Sequence, residues 1–196
     1  MPSDPVILAF DTSAAHCAAA LLVGDRIVAA TAEEMTRGQA ERLMPLLEEV
    51  LAGAGLGWHD LDAIGVGIGP GNFTGIRISV SAARGLALGL GIPAVGVDGF
   101  EARALLTPLG VHPAIPAPRD HVYLAPDGGT PQLLPRDQAE ALGPLQAEYS
   151  PQGLAEAIAR AAAPRWRDAT IPPAPLYVRP ADAAPSRDRP PVLLDP

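Results

Sequence analysis

Gly69-Pro70-Gly71-Asn72-Phe73-Thr74-Gly75, with Ile76-Arg77 directly behind it, is the stretch on which the fold turns. It follows an apolar run, Leu61 to Ile68, and precedes a long apolar segment, Ile76 to Leu90. Three glycines and a proline within seven residues mark a tight connection from a strand into a helix. Such a connection can aim backbone N–H groups at an anion, because the first amides of a helix have no partner within it. The same glycines serve a plainer purpose if they only make the turn and let strand and helix pack closely. Spacing alone leaves both readings open.

Upstream, Val6 to Phe10 reads as a buried strand, ended by the turn-favouring residues Asp11-Thr12-Ser13. Ala14 to Val23 and Arg26 to Glu33 read as two further strands joined at Gly24-Asp25, so the chain opens on an antiparallel meander. Thr36-Arg37-Gly38-Gln39 has capping-box spacing and predicts a helix start. Behind it Leu43, Leu47, Val50, Leu51 and Ala54 share one face, with Glu41, Arg42, Glu48 and Glu49 mostly opposite. Pro45 predicts a kink or the helix's effective start.

Downstream, the helix expected over Thr74 to Leu90 is apolar nearly all round, interrupted by Arg77, Arg84 and a few hydroxyls. A helix without a polar face is buried on several sides, within its own chain or against a partner. Pro93 to Val97 reads as a strand, and Asp98 caps a helix to about Leu106. The order strand-strand-strand-helix-strand-helix-strand-helix predicts an α/β fold. It is a mixed five-stranded sheet with helices on both faces, the ribonuclease H-like unit of actin-like (ASKHA) proteins. Residues 1–107 are taken as this lobe. From 108 to 196 the strands shorten, a turn falls at Asp127-Gly128-Gly129, and prolines recur every few residues after Pro164. That half reads as a reduced, proline-rich second lobe and a C-terminal tail, extended over the surface or partly disordered.

Composition narrows the function. Of 196 residues 48% are apolar, enough for a core without disulfides or metals. The one cysteine, Cys17, and the absence of a basic region before the first apolar run point to a reducing, cytoplasmic setting. No apolar stretch is long enough, and free enough of glycine and charge, to span a bilayer. A formal net charge of -8 makes the lone chain a poor binder of nucleic acid, so any role on RNA needs a basic partner.

Candidate chemistry starts at Asp11, a carboxylate at the end of the first strand. A two-metal nuclease needs further acidic groups converging there, and the Gly69-Pro70 loop supplies none. His16, His59, His112 and His121 include no pair at the i, i+4 spacing that would present two imidazoles to one metal, and no metal site is assigned. Cys17 reads as a small buried apolar residue, and Ser13, Ser79 and Ser81 lack a nucleophile context. There is no complete catalytic set. The candidate nucleotide or anion loop is Asp11 and Thr12 with Gly69, Gly71, Asn72, Thr74, Gly75 and Arg77.

Ile7-Leu8-Ala9-Phe10-Asp11-Thr12-Ser13, Glu41-Arg42-Leu43-Met44-Pro45 and Gly69 to Ile78 together resemble the TsaB (YeaZ) family. The likeness is firm over about the first 105 residues and looser beyond, with an echo at Pro175-Leu176-Tyr177-Val178-Arg179. It implies an actin-like fold and a place in making threonylcarbamoyladenosine at position 37 of tRNAs that read ANN codons (t6A37). It further implies a non-catalytic dimerization or scaffold subunit, without the metal-binding histidines of the paralogous TsaD transferase it pairs with. A TsaE-like ATPase subunit docks on that pair, tRNA is met only through the complex, and any ATP or ADP sits at the interface rather than in the isolated chain.

The partner contact implied by the resemblance runs over the two helices near 36–53 and 74–90. The expected interface residues are Leu43, Leu46, Leu47, Val50, Ile76, Ser79, Val80, Ala83 and Arg84, and a homodimer through the same helices is expected when the chain is alone. Replacing Gly71 and Gly75 by valine is then expected to disturb partner binding more than nucleotide binding. Departures from the family pattern are Gln39, Asn72 in place of a serine, and Ile115-Pro116-Ala117-Pro118-Arg119, where an acidic residue is missing. The alternative reading is a small actin-like ATPase or kinase using Asp11 and the glycine loop.

Overall fold

The computed structural model describes residues 4–178. Its first sheet opens with β1 (Val6–Asp11), β2 (His16–Val23) and β3 (Arg26–Glu34), each antiparallel to the next. Helix α1 (Gln39–Gly53), β4 (Ala63–Gly67), α2 (Phe73–Leu90), β5 (Ala94–Val97) and α3 (Gly99–Ala104) follow. The strand order is β3-β2-β1-β4-β5, with β1, β4 and β5 parallel. A meander entering parallel crossovers in this order is the ribonuclease H-like sheet expected from the sequence.

Both faces of the sheet are covered, which is why the central strands read as continuous apolar runs. On one face Leu8, Phe10, Leu21, Ile64 and Val66 pack with Leu43, Leu46, Leu47 and Val50 of α1 and Ala83 of α2. On the other, Ile7, Ala9, Leu22, Ala63 and Val95 pack against Ala157, Ile158 and Ala161 of α5 (Pro151–Ala162). The alanines of β2 have a use here: Ala18 and Ala20 form a flat floor on which Ala155 of α5 sits. Gly65 keeps the same interface thin, since a Cβ there would lie 3.1 Å from Ala9 and 3.3 Å from Ala162.

A second sheet, in the order β8-β7-β6-β9, is built from β6 (His112–Ala117), β7 (His121–Leu124), β8 (Gln132–Pro135) and the two-residue β9 (Leu145–Gln146). The three-residue connection between β6 and β7 places Arg119 and Asp120 at φ 61° and 55°, left-handed conformations taken without glycine. Ala114, Val122 and Leu124 form its small core with Ala139 of α4 (Arg136–Glu140). The change of sheet falls between α3 and β6. Helix α5, however, leaves the second sheet and lies on the first. After a short turn at Trp166–Asp168 the chain runs back along the first lobe, where Leu176 N–H donates to Ile68 O (2.8 Å). The rest of the expected tail lies outside the described residues.

Two local expectations change. The capping box at Thr36 does not form: α1 starts at Gln39 behind Gly38 at φ 91°, and the Gln39 amide donates to Met35 O instead. Pro45 sits inside α1 rather than at its start. Among the described residues no helix is long and apolar enough to cross a membrane.

Candidate functional site

Antiparallel pairing of β1 with β2 folds the Asp11 end of β1 back against the start of β2, which sets His16 beside Asp11. His16 Nε2–H donates to Asp11 Oδ2 at 2.7 Å, and the Ser13 hydroxyl and amide donate to the same oxygen at 2.9 and 3.2 Å. All three residues are buried. Burial by itself would push the Asp11 carboxyl up, but the His16 and Ser13 bonds, with the charges of His16 and Arg103, hold it below the ordinary range.

Arg103, on α3, is itself buried. It donates to Gly99 O at 3.0 Å, lies over the Tyr149 ring at 5.3 Å, and leaves its Nε–H without a partner. Burial lowers its affinity for the proton, opposed by Asp11. The two groups line one cavity of about 10 Å³, together with Gly67, Gly69, Asp98 and Gly99. That is room for a single water.

The glycine loop packs backbone on backbone against this end of β1. A Cβ on Gly75 would meet Thr12 O, one on Gly71 would meet Ser13 O, and one on Gly67 would meet Asp11 Oδ1, each closer than 3.0 Å. Thr12 Oγ1–H donates to Gly75 O (2.7 Å) and Asn72 N–H to Ser13 O (2.6 Å), while Gly69, at φ 96°, accepts from Gly99 N–H (2.7 Å). Asn72 caps α2, its Oδ1 accepting from Gly75 N–H at 2.9 Å. Asp11, Thr12, Gly69, Gly71, Asn72 and Gly75 thus come together in one packed knot. Thr74 and Arg77 are exposed outside it, Arg77 lying 4.0 Å above the Phe73 ring and donating to the Tyr177 hydroxyl at 3.0 Å. Gly75 N–H is taken by the cap and Asn72 N–H by Ser13, and among the described residues the cavity beside Asp11 has about 10 Å³.

The cap gives a direct test. Asn72→Ala is expected to lower stability by about 1 kcal/mol in urea unfolding, whereas Asn72→Ser, which keeps an acceptor at the N-cap, should stay within a few tenths.

The expected interface residues fall differently from the sequence reading. Leu43, Leu46, Leu47, Val50, Ile76, Ser79, Val80 and Ala83 are all buried inside the chain, and only Arg84 is exposed. The apolar faces of α1 and α2 are spent on the sheet, so the exposed apolar surface that suggested a homodimer is much smaller than expected. What α2 turns outward is Phe73, Arg77, Ser81, Arg84 and Leu88, with Met44 on α1. Tyr177 stacks on Phe73 with ring centroids 5.1 Å apart. This outward row follows the helical period, but small and apolar residues on both sides of α2 hide it in the sequence.

Elsewhere, Cys17 lies in the sheet, where burial, with the charge of Glu33, pushes its thiol up to about 11. Among the described residues no three of His, Cys, Asp and Glu converge as a metal-ligand set.

The sheet and the sealed carboxylate define a ribonuclease H-like lobe of the actin-like class. A family model described as TsaD: tRNA N6-adenosine threonylcarbamoyltransferase matches residues 28–158. A Pseudomonas aeruginosa protein described as having similarity to peptidase YEAZ superposes with a TM-score of 0.72 at 27% identity, covering 89% of this chain and 100% of that one. YeaZ from Pseudomonas aeruginosa superposes with a TM-score of 0.68 at 28% identity, covering 88% and 99%. No curated protein matches the sequence. The chain belongs to the family that model describes, and within it to the TsaB (YeaZ) members.

Proposed function

We propose that the chain is a non-catalytic subunit that binds a TsaD-type transferase and activates it for threonylcarbamoyladenosine synthesis on tRNA. The observation that carries this reading is the closed end of β1. One oxygen of its carboxylate, Oδ2, accepts from His16 and Ser13, and the cavity that it lines with the Arg103 guanidinium has about 10 Å³, too little for a substrate. A group that must transfer an acyl unit needs access to both reactants, and this one has access to neither.

The outward faces of α1 and α2 then make the contact, with the buried leucines holding the helices from beneath. On this reading any adenine nucleotide of the complex takes its phosphate contacts from the transferase, tRNA is met through the complex, and a TsaE-like ATPase docks on the assembled pair. The chain works in the cytoplasm, where its tRNA substrate complex is formed.

Reconstitution with the TsaD-type transferase of the same organism tests the reading. Adding this chain should raise modification of an ANN-decoding tRNA by at least about tenfold, an effect on the order of 1.4 kcal/mol in apparent barrier. An unchanged rate, with no complex at micromolar concentration, would sink the proposal. Tight nucleotide binding by the lone chain in calorimetry would favour an ATPase instead. Light scattering on the chain alone reads its mass, and so whether it is a monomer or a dimer.

A further inference from the structure

A non-catalytic subunit has no use for the cavity at the closed end of β1, yet the cavity is not an apolar packing gap. Asp11, Ser13 and Arg103 form its polar side, and Val97, Leu154 and Ile158 its apolar one. Purely apolar cavities stay dry, whereas one that offers two or more hydrogen-bonding groups holds water.

Two groups on these walls have hydrogen-bonding capacity to spare. His16 and Ser13 bond a single oxygen of Asp11, Oδ2, and among the described residues Oδ1 accepts nothing. Oδ1 lies against Gly67, another wall residue, where an added Cβ would collide with it. Arg103 is only 8% exposed, and among the described residues its guanidinium makes one hydrogen bond, from Nη1 to Gly99 O. Its Nε–H is buried and has no partner. Leaving a buried donor unmade is costly, and more so on a charged group.

We propose that the cavity is a binding site for one water molecule, which donates to Asp11 Oδ1 and accepts from the Arg103 guanidinium. The volume, about 10 Å³, is close to the least that admits a water and excludes anything much larger. A cation there would have the guanidinium beside it, and among the described residues no three of His, Cys, Asp and Glu converge to hold a metal. An anion would have the carboxylate beside it. Water serves both groups, since it donates to one and accepts from the other. The water ties the end of β1 to α3, and Arg103 carries the link further. It overlies the ring of Tyr149, whose hydroxyl bonds that of Thr107 at 2.6 Å. Tyr149 directly precedes Ser150, the N-cap of α5. One water thus helps to fix the segment that brings α5 back onto the first sheet.

Crystals of the full chain grown with rubidium bromide test this. The expected result is one density peak at about 2.7–3.2 Å from both Asp11 Oδ1 and a nitrogen of Arg103, with no anomalous signal at the rubidium or the bromine edge. In Arg103→Met the peak should vanish while His16 and Ser13 keep their bonds to Asp11. A rubidium signal would make the cavity a cation site and a bromine signal an anion site, and either overturns the proposal. So would a cavity without density, a direct ion pair between Asp11 and Arg103 that closes it, or a peak that persists unchanged in Arg103→Met. The wild-type map decides the matter even if the variant fails to fold.

Discussion

Gly75→Ala is expected to cost about 3 kcal/mol of folding stability, although alanine is the better helix former. The new methyl would point at Thr12 O, a backbone atom held from both sides by β1 and the turn behind it, so the loop cannot give way cheaply. The internal control is the same substitution about three and about four turns further along. Gly85 and Gly89 lie in the same helix with nothing within 4 Å of a Cβ. Gly85→Ala and Gly89→Ala should each raise stability by up to about 1 kcal/mol. Chemical unfolding followed by circular dichroism measures all three. If Gly75→Ala were neutral, the loop would not be packed as described. The valine substitutions once expected to act on partner binding should therefore act first on folding.

Asp11→Asn is the second large effect, about 3 kcal/mol at neutral pH. The substitution keeps the shape but removes the buried negative charge that accepts from His16 and lines one cavity with the buried Arg103 guanidinium. It also weakens the charge-assisted bonds from His16 and Ser13. The same carboxylate sets a pH dependence. Its folded affinity for protons lies below the value of 3.8 for a free side chain, so the unfolded state binds the proton first. The stabilisation is complete above that unfolded value and disappears as pH falls through the lower folded one. Wild-type stability should thus fall steeply below about pH 4, and Asp11→Asn should lack that part of the fall. Ser13→Ala, which removes one donor and spares the charge, should move the fall to higher pH at a cost of about 1–2 kcal/mol. Superimposable acid profiles for all three proteins would refute the role given to Asp11.

The first lobe was legible because its pattern is unambiguous. Apolar runs of strand length alternate with helical periods, and Asp98 and the glycine loop punctuate them. Even the alanine-rich β2 could be found, though the reason for its alanines, the seat of α5, is a contact between residues far apart in sequence.

Side assignment on α2 was not legible. Ile76, Val80 and Ala83 are as apolar as a partner face would be, and only the packed sheet decides that they point inward. The Asp11 site was half legible. Position at a strand end marked the carboxylate, but His16 and Arg103 come from β2 and α3, and no spacing rule connects them. Gln39 and Thr36 misled because Gly38 adopts a left-handed conformation that replaces the expected cap.

The return of α5 to the first sheet has a consequence for how the chain comes into being. The face formed by Ile7, Ala9, Leu22 and Val95 stays open until residues 151–162 arrive, after the whole second sheet has been made. On the ribosome the first lobe must therefore wait, with that apolar face exposed, for more than half its own length of further synthesis. Its closing contacts are among the longest in sequence, which slows folding by the entropy of closing the intervening chain. A nascent chain halted near residue 110 should be protease-sensitive and sticky, and one extended past 162 compact.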